Sequence, residues 1–185
     1  MPRRQNLFAR LVIWFGAGVL GAAQALPSPY GFATDDAVSY LDIADAYLKH
    51  HWSHALNGYW SPLYSWVLAI ALWIGRPSPR SEILVLRATN LALFFGACAG
   101  FTFFLHRLMA DHRERMLLDR TPAAVIRVPD WMWLALGYGG FFWASFEWIG
   151  LRCDTPDMCA SALIYVARTQ NMAISLVMLA RPSGR

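Results

Sequence analysis

Charge is scarce along this chain. Only 15% of its 185 residues are Asp, Glu, Lys or Arg, too few to cover the surface of a soluble domain of this length. Cysteine is scarce as well. Cys98, Cys153 and Cys159 stand in no CxxC spacing and meet no matching histidine pattern, so zinc-ribbon and c-haem motifs are excluded. Cys153 and Cys159 read as small residues at a helix entrance rather than as a disulfide. Internal repeats and low-complexity linkers are absent. The net charge of +4 does not announce nucleic acid, because the arginines stand in clumps between apolar runs and form no basic face interleaved with aromatics.

What the chain has in abundance is apolar surface. Hydrophobic residues make up 57% of it, nine of them tryptophans, and the mean hydropathy is +0.34. The expected fold class is an all-α integral membrane protein, with about four transmembrane helices plus juxtamembrane helices in a large first outer loop. A single membrane domain spans 1–185: a first transmembrane helix over 7–26, an outer loop over 27–82, and the remaining transmembrane helices over 83–180.

The first apolar run, Leu11 to Ala25, follows MPRR and Arg10, whose charges keep the N-terminus cytoplasmic. Ala23-Gln24-Ala25 has the small-x-small look of a signal-peptidase site. Counted from Leu7, however, the run has about 20 mostly apolar residues, enough to span, and the reading here is an uncleaved first helix. The next run, PLYSWVLAIALWIG from Pro62 to Gly75, gives a helix of about 21 Å, short of a hydrocarbon core of roughly 30 Å. Trp60, Trp66 and Trp73 suit a headgroup boundary, so this piece is expected to lie at the interface.

The positive-inside rule arbitrates. If Pro62–Gly75 does not cross, the later helices run Ala88 to Leu105 inward, Trp131 to Leu151 outward and Met158 to Ala180 inward. Ten arginines then face the cytoplasm (3, 4, 10, 107, 113, 115, 120, 127, 181 and 185) against five basic residues outside (Lys49, Arg76, Arg80, Arg87 and Arg152). If it crosses, the count is seven against eight, and the bias disappears. The favoured topology puts two acidic stretches in one outer compartment: TDDAVSYLDIADAYL at 34–48 and CDTPD at 153–157.

Other features read as packing. Gly96 and Gly100 form a GxxxG step that lets a neighbouring helix approach closely. Trp131 and Trp133 at one helix end, and Trp143 and Trp148 at the other, form belts. Glu147 sits near an outer helix end, within reach of water. HRLMADHRERMLLDR is read as a solvated cytoplasmic loop with an amphipathic pattern. His50 and His54, spaced i and i+4, are the only metal-ligand pattern, and no third ligand is evident.

Thr34 is a good helix N-cap, and Asp35 and Asp36 in the first turn complement the helix dipole. Asp42 and Asp45 form the wet side of an amphipathic helix whose Tyr40, Leu41, Ala44, Tyr47 and Leu48 face apolar material. A carboxylate at a membrane surface, partly desolvated, can also serve as a general base. Arg87, at the outer mouth of a membrane helix, is placed to hold a phosphate, or equally to snorkel to headgroups.

The succession DDAVSYLDIADAYL, NGYWSPLYSW, a short apolar helix, EILVLRATN and then TPDM resembles the GT-C glycosyltransferases. More narrowly, it is similar to the bacterial protein-mannosyltransferase and aminoarabinose-transferase branch. The matching residues are Asp36, Tyr40, Ile43 and Ala44 in the acidic motif, Pro62, Leu63 and Trp66 on the juxtamembrane helix, Arg87, and Asp157 at a later helix start. Two positions depart from the branch: Trp60 stands where many members have lysine, and Asp36-Ala37 stands where an Asp-Glu pair is usual.

The resemblance implies an inverting transferase in the cell's inner membrane. It would move a sugar from a polyprenyl-phosphate donor to an acceptor on the outer face, among membrane lipids. Asp36 would be the catalytic base, with Asp35 as its neighbour and substitute. Arg87 would contact the lipid-linked phosphate, Asp157 would shape the site or help hold a divalent metal, and Tyr40 and Tyr64 would pack on sugar or prenyl chain. The match corresponds to the N-terminal part of a family member. The chain accordingly reads as truncated, with 167–185 as a tail foreign to this fold or with a partner subunit supplying further helices. Arg168, Gln170 and Asn171 fall near mid-membrane in that tail, where a charge costs several kcal/mol unless it faces protein or water. The competing readings are a multi-pass protein of transporter or subunit type and an inactive fragment.

Overall fold

The computed structural model describes residues 3–25, 35–56, 58–118, 128–149 and 156–180. It is helical almost throughout, and no strand occurs among the described residues. Among the described residues seven α-helices follow in order: α1 (Arg3–Ala25), α2 (Asp35–Leu48), α3 (Trp52–Ala55), α4 (Pro62–Gly75), α5 (Glu82–Leu118), α6 (Asp130–Trp143) and α7 (Asp157–Ala180). A π-helical segment, Ala144–Ile149, continues α6.

Two packed groups organise these elements. The first is a bundle of α1, α5, α6 and α7 around Phe94, Phe101, Leu105, Tyr138, Phe141 and Met158. Phenylalanines dominate it, with the Phe101 and Phe141 rings stacked at 4.8 Å between centroids. Small residues let the helices close on one another. A Cβ on Gly21 would come within 3.1–3.3 Å of Leu91 and Phe94, and one on Gly100 would meet the Ala162 carbonyl oxygen at 3.2 Å. Gly96, the other half of the GxxxG step, has nothing within 4 Å of such an atom among the described residues. Of that step, only Gly100 serves helix approach.

The second group packs α2 and α4 against the N-terminal turns of α5, around Ala37, Tyr40, Ala44, Tyr64, Leu68 and Leu86. Helix α4 has the bounds that its apolar run predicts. It starts on Pro62, which needs no donor there, and stops at Arg76, which takes the left-handed conformation (φ 41°) and bonds back to the Leu72 carbonyl before Pro77. Helix α2 follows its expected phase: Tyr40 and Ala44 are buried, Leu41 and Tyr47 half-buried, and Asp42 and Asp45 exposed, while Leu48 at the end is exposed against expectation. Thr34, the expected N-cap, and Cys153 lie outside the described residues.

The stretch read as a cytoplasmic loop is instead helical through Leu118, so α5 runs 37 residues, about 55 Å. The reason is that amphipathic character and i,i+4 pairs sustain a helix after apolar composition ends. Arg115 binds Asp111 at 2.8 Å, and Arg113 reaches Asp130 at the start of α6 at 2.6 Å. Among the described residues one helix, Glu82–Leu117, is long and apolar enough by itself to cross a membrane; Val12–Gln24 and Pro62–Gly75 are shorter apolar helices.

Candidate functional site

Asp36 is exposed in the first turn of α2, and Tyr40 follows one turn later on the same face, 4% exposed. Tyr40 is held on two sides by rings. Tyr64 meets it edge-on at 4.9 Å and Trp60 at 5.0 Å, separations at which the positive ring edge faces the negative ring face. Tyr64 is fully buried, and its hydroxyl donates to Asn90 Oδ1 on α5 at 2.5 Å. It therefore supports Tyr40 from behind rather than opening onto solvent. Arg87, half-buried, lies one helical turn before Asn90 and directly after the fully buried Leu86.

The electrostatics of Tyr40 join what the sequence separates. Its hydroxyl pKa is raised above 10.0, first by burial, next by the charge of Asp36, and then by the charge of Asp157, while a backbone hydrogen bond from Ser61 acts in the opposite sense. Asp157, exposed in the first turn of α7, is 121 residues further along the chain than Asp36. The fold thus brings Asp36 and Asp157, one acid from each stretch, within electrostatic reach of one buried phenol. Of the residues that the sequence singles out, Asp36, Tyr40, Tyr64 and Asp157 are linked here, and Arg87 stands one turn before Asn90 on α5. Asp35 opens α2, but its side chain is outside the described set.

The remaining acids of α2 point elsewhere. Asp42 and Asp45 line a separate polar cavity of about 320 Å³ with Lys49, Arg76 and Glu82. There Lys49 pairs with Asp45 at 2.6 Å. Helical phase therefore divides Asp36 from Asp42 and Asp45 on α2. Among the described residues no three His, Cys, Asp or Glu side chains come close enough to hold a metal ion, the His50 and His54 pair included.

Sequence reasoning passes over one contributor, Asn90, although it had a signal: an amide in an apolar helix needs a partner. In the structure Asn90 is 3% exposed. Trp60, expected at a headgroup boundary, packs its ring beside Tyr40.

Comparison with protein-family models, with curated proteins and with solved structures gives no match to this chain.

Proposed function

We propose that this chain is a multi-pass membrane glycosyltransferase whose site opens on the outer face, where it takes a sugar from a polyprenyl-phosphate donor. In this reading α1, α5, α6 with its π-helical continuation, and α7 cross the bilayer. Helices α2 and α4 lie at its outer surface. Asp36 accepts the proton of the acceptor hydroxyl as that oxygen attacks the anomeric carbon from the face opposite the phosphate. The bond from the anomeric carbon to the phosphate oxygen breaks, and Arg87 balances the charge left on the lipid phosphate. Asp157 and Tyr40 shape the pocket beside the base.

The observation that carries this reading is the convergence of Asp36 and Asp157 on Tyr40. A solvated amphipathic helix does not require an acidic group from a distant helix start to share its field. Asp36 is also exposed one turn from the buried Tyr40, so its carboxylate can reach an acceptor hydroxyl.

The test is transfer from a panel of radiolabelled polyprenyl-phosphate sugars by the chain in liposomes. Asp36→Asn is expected to lower transfer by roughly 10²–10⁴-fold with expression and insertion intact. Arg87→Gln is expected to raise the KM for the lipid donor. Transfer retained in Asp36→Asn removes it from the base role, and tracer uptake without transfer by the unaltered chain replaces the whole reading with a transporter.

A further inference from the structure

Arg168 is exposed on α7, and the membrane topology proposed above makes that position hard to explain in lipid alone. One face of α7 is committed to the bundle: Ala162, Tyr165 and Val166 close on Gly100 of α5, and Tyr165 packs on Phe101 and Phe104. The opposite face carries Ala160, Ile164, Ala167, Arg168 and Asn171, all exposed. These residues repeat with the helical period, so they form one continuous stripe and not scattered positions.

The depth of Arg168 follows from neighbouring contacts. Tyr165 lies level with Phe101 and Phe104, and the next residue of α5, Leu105, lies against Gly137 of α6. Gly137 is six residues from the inner belt residue Trp131, or about 9 Å along the helix. With α5 and α7 both running inward, Arg168 is one turn below Tyr165, inside the hydrocarbon region. A helical side chain leans toward its own N-terminus, which for α7 is the outer end. The Cα–Cβ bond of Arg168 is thus inclined away from the nearer, inner headgroups. Snorkelling is unfavourable in that direction, and an arginine here requires a polar contact inside the membrane.

We propose that this stripe of α7 docks a membrane helix of a partner protein that carries an aspartate or glutamate at the depth of Arg168. Charge complementarity selects that occupant. A second copy brings Arg168 beside Arg168, and α7 has no acid after Asp157 to relieve it. Ala160 and Ala167 let the incoming backbone approach, so the carboxylate can meet the guanidinium through two parallel hydrogen bonds. The inference rests on α7 crossing the membrane and not on the transfer chemistry.

The experiment expresses the full chain, fluorescently labelled, with single-span poly-leucine helices bearing Asp, Leu or Arg at the matching depth, and reads energy transfer in membranes. The Asp helix is expected to associate roughly five- to thirty-fold more strongly than the Leu helix. Arg168→Leu is expected to abolish that preference, and Arg168→Asp to transfer it to the Arg helix. Equal association with the Asp and Leu helices, or stronger association between two copies of the chain, overturns the proposal. A parallel measurement isolates the topology: Arg168→Cys, in a chain whose three native cysteines are replaced by serine, is expected to resist membrane-impermeant thiol reagents from both sides. Labelling from either side overturns the proposal through the position of α7, whatever the transfer assay reports.

Discussion

The bundle and the α2–α4 layer, outer in the proposed topology, are packed by the same residue type to different ends. In the bundle, aromatic rings stack on other rings: Phe94, Phe101 and Phe141 need no polar partner, and the groove along α5 and α6, of about 530 Å³, is lined almost wholly by apolar side chains. In the outer layer each buried ring carries or serves a polar atom. Tyr64 bonds Asn90, Tyr40 feels the charges of Asp36 and Asp157, and a cavity beside α2 is lined by Asp42, Asp45, Lys49, Arg76 and Glu82. The contrast teaches where to look for chemistry. Bundle packing depends on fitted shape, whereas the outer layer fixes the orientation of particular oxygens.

Glycine substitutions break the comparison most sharply. At Gly100 an added Cβ meets backbone, the Ala162 carbonyl, and that atom cannot swing aside. Gly100→Ala is therefore expected to destabilise the α5–α7 contact by about 1–3 kcal/mol, read as loss of thermal stability in detergent micelles. Gly96→Ala, with open space around it, is expected to be neutral or to stabilise by up to about 1 kcal/mol through helix propensity. Equal losses at the two positions would show that the bundle packs through a different face of α5.

The next effect belongs to the outer layer. Tyr64→Phe removes a donor and leaves the Asn90 amide buried without that partner, which costs about 1–3 kcal/mol. Adding Asn90→Leu is expected to recover part of the loss, because both polar groups are then gone. A double mutant no better than Tyr64→Phe alone would mean that the ring contact with Tyr40 depends on the bond itself and that the layer is more tightly specified than its burial implies.

These particulars show what was legible beforehand. The run from Pro62 to Gly75 declared both its ends, since a proline can open a helix and a left-handed cap followed by proline closes one. The phase of α2 was readable from its i, i+4 spacing. The extension of α5 to Leu118 was not, because hydropathy falls after Leu105 while helical pairing continues. Nor was the π-helical turn at Ala144–Ile149 legible, although the Gln24 amide on α1 bonds the Phe146 carbonyl within it. Periodicity names the face of a helix but not what lies opposite, so Gly96 and Gly100 looked alike, and the pairing of Tyr64 with Asn90 was invisible. For the site, the charge count led to the expectation that Asp36 and Asp157 share one compartment; only the fold shows both charges acting on one phenol.

The smallest expected effect is the most direct test of that convergence. Tyr40 holds its proton above the ordinary value of 10.0, with burial first and Asp36 second among the causes and Asp157 weaker. Its titration is obtained as the difference in phenolate absorbance between the chain and its Tyr40→Phe variant. Asp36→Asn removes a negative charge that opposes the phenolate, so Tyr40 is expected to titrate at lower pH. Asp157→Asn is expected to shift it in the same direction by less. The sign also fixes a stability consequence. A tyrosine that is more basic when folded contributes stability in full below pH 10, and this contribution is lost as pH rises through the folded value, because the unfolded chain releases its proton first. Alkaline unfolding is therefore expected to begin later in Tyr40→Phe than in the unaltered chain. A downward shift from Asp36→Asn with none from Asp157→Asn would separate the two acidic stretches, leaving Asp36 as the charge of one helix and α7 outside the site.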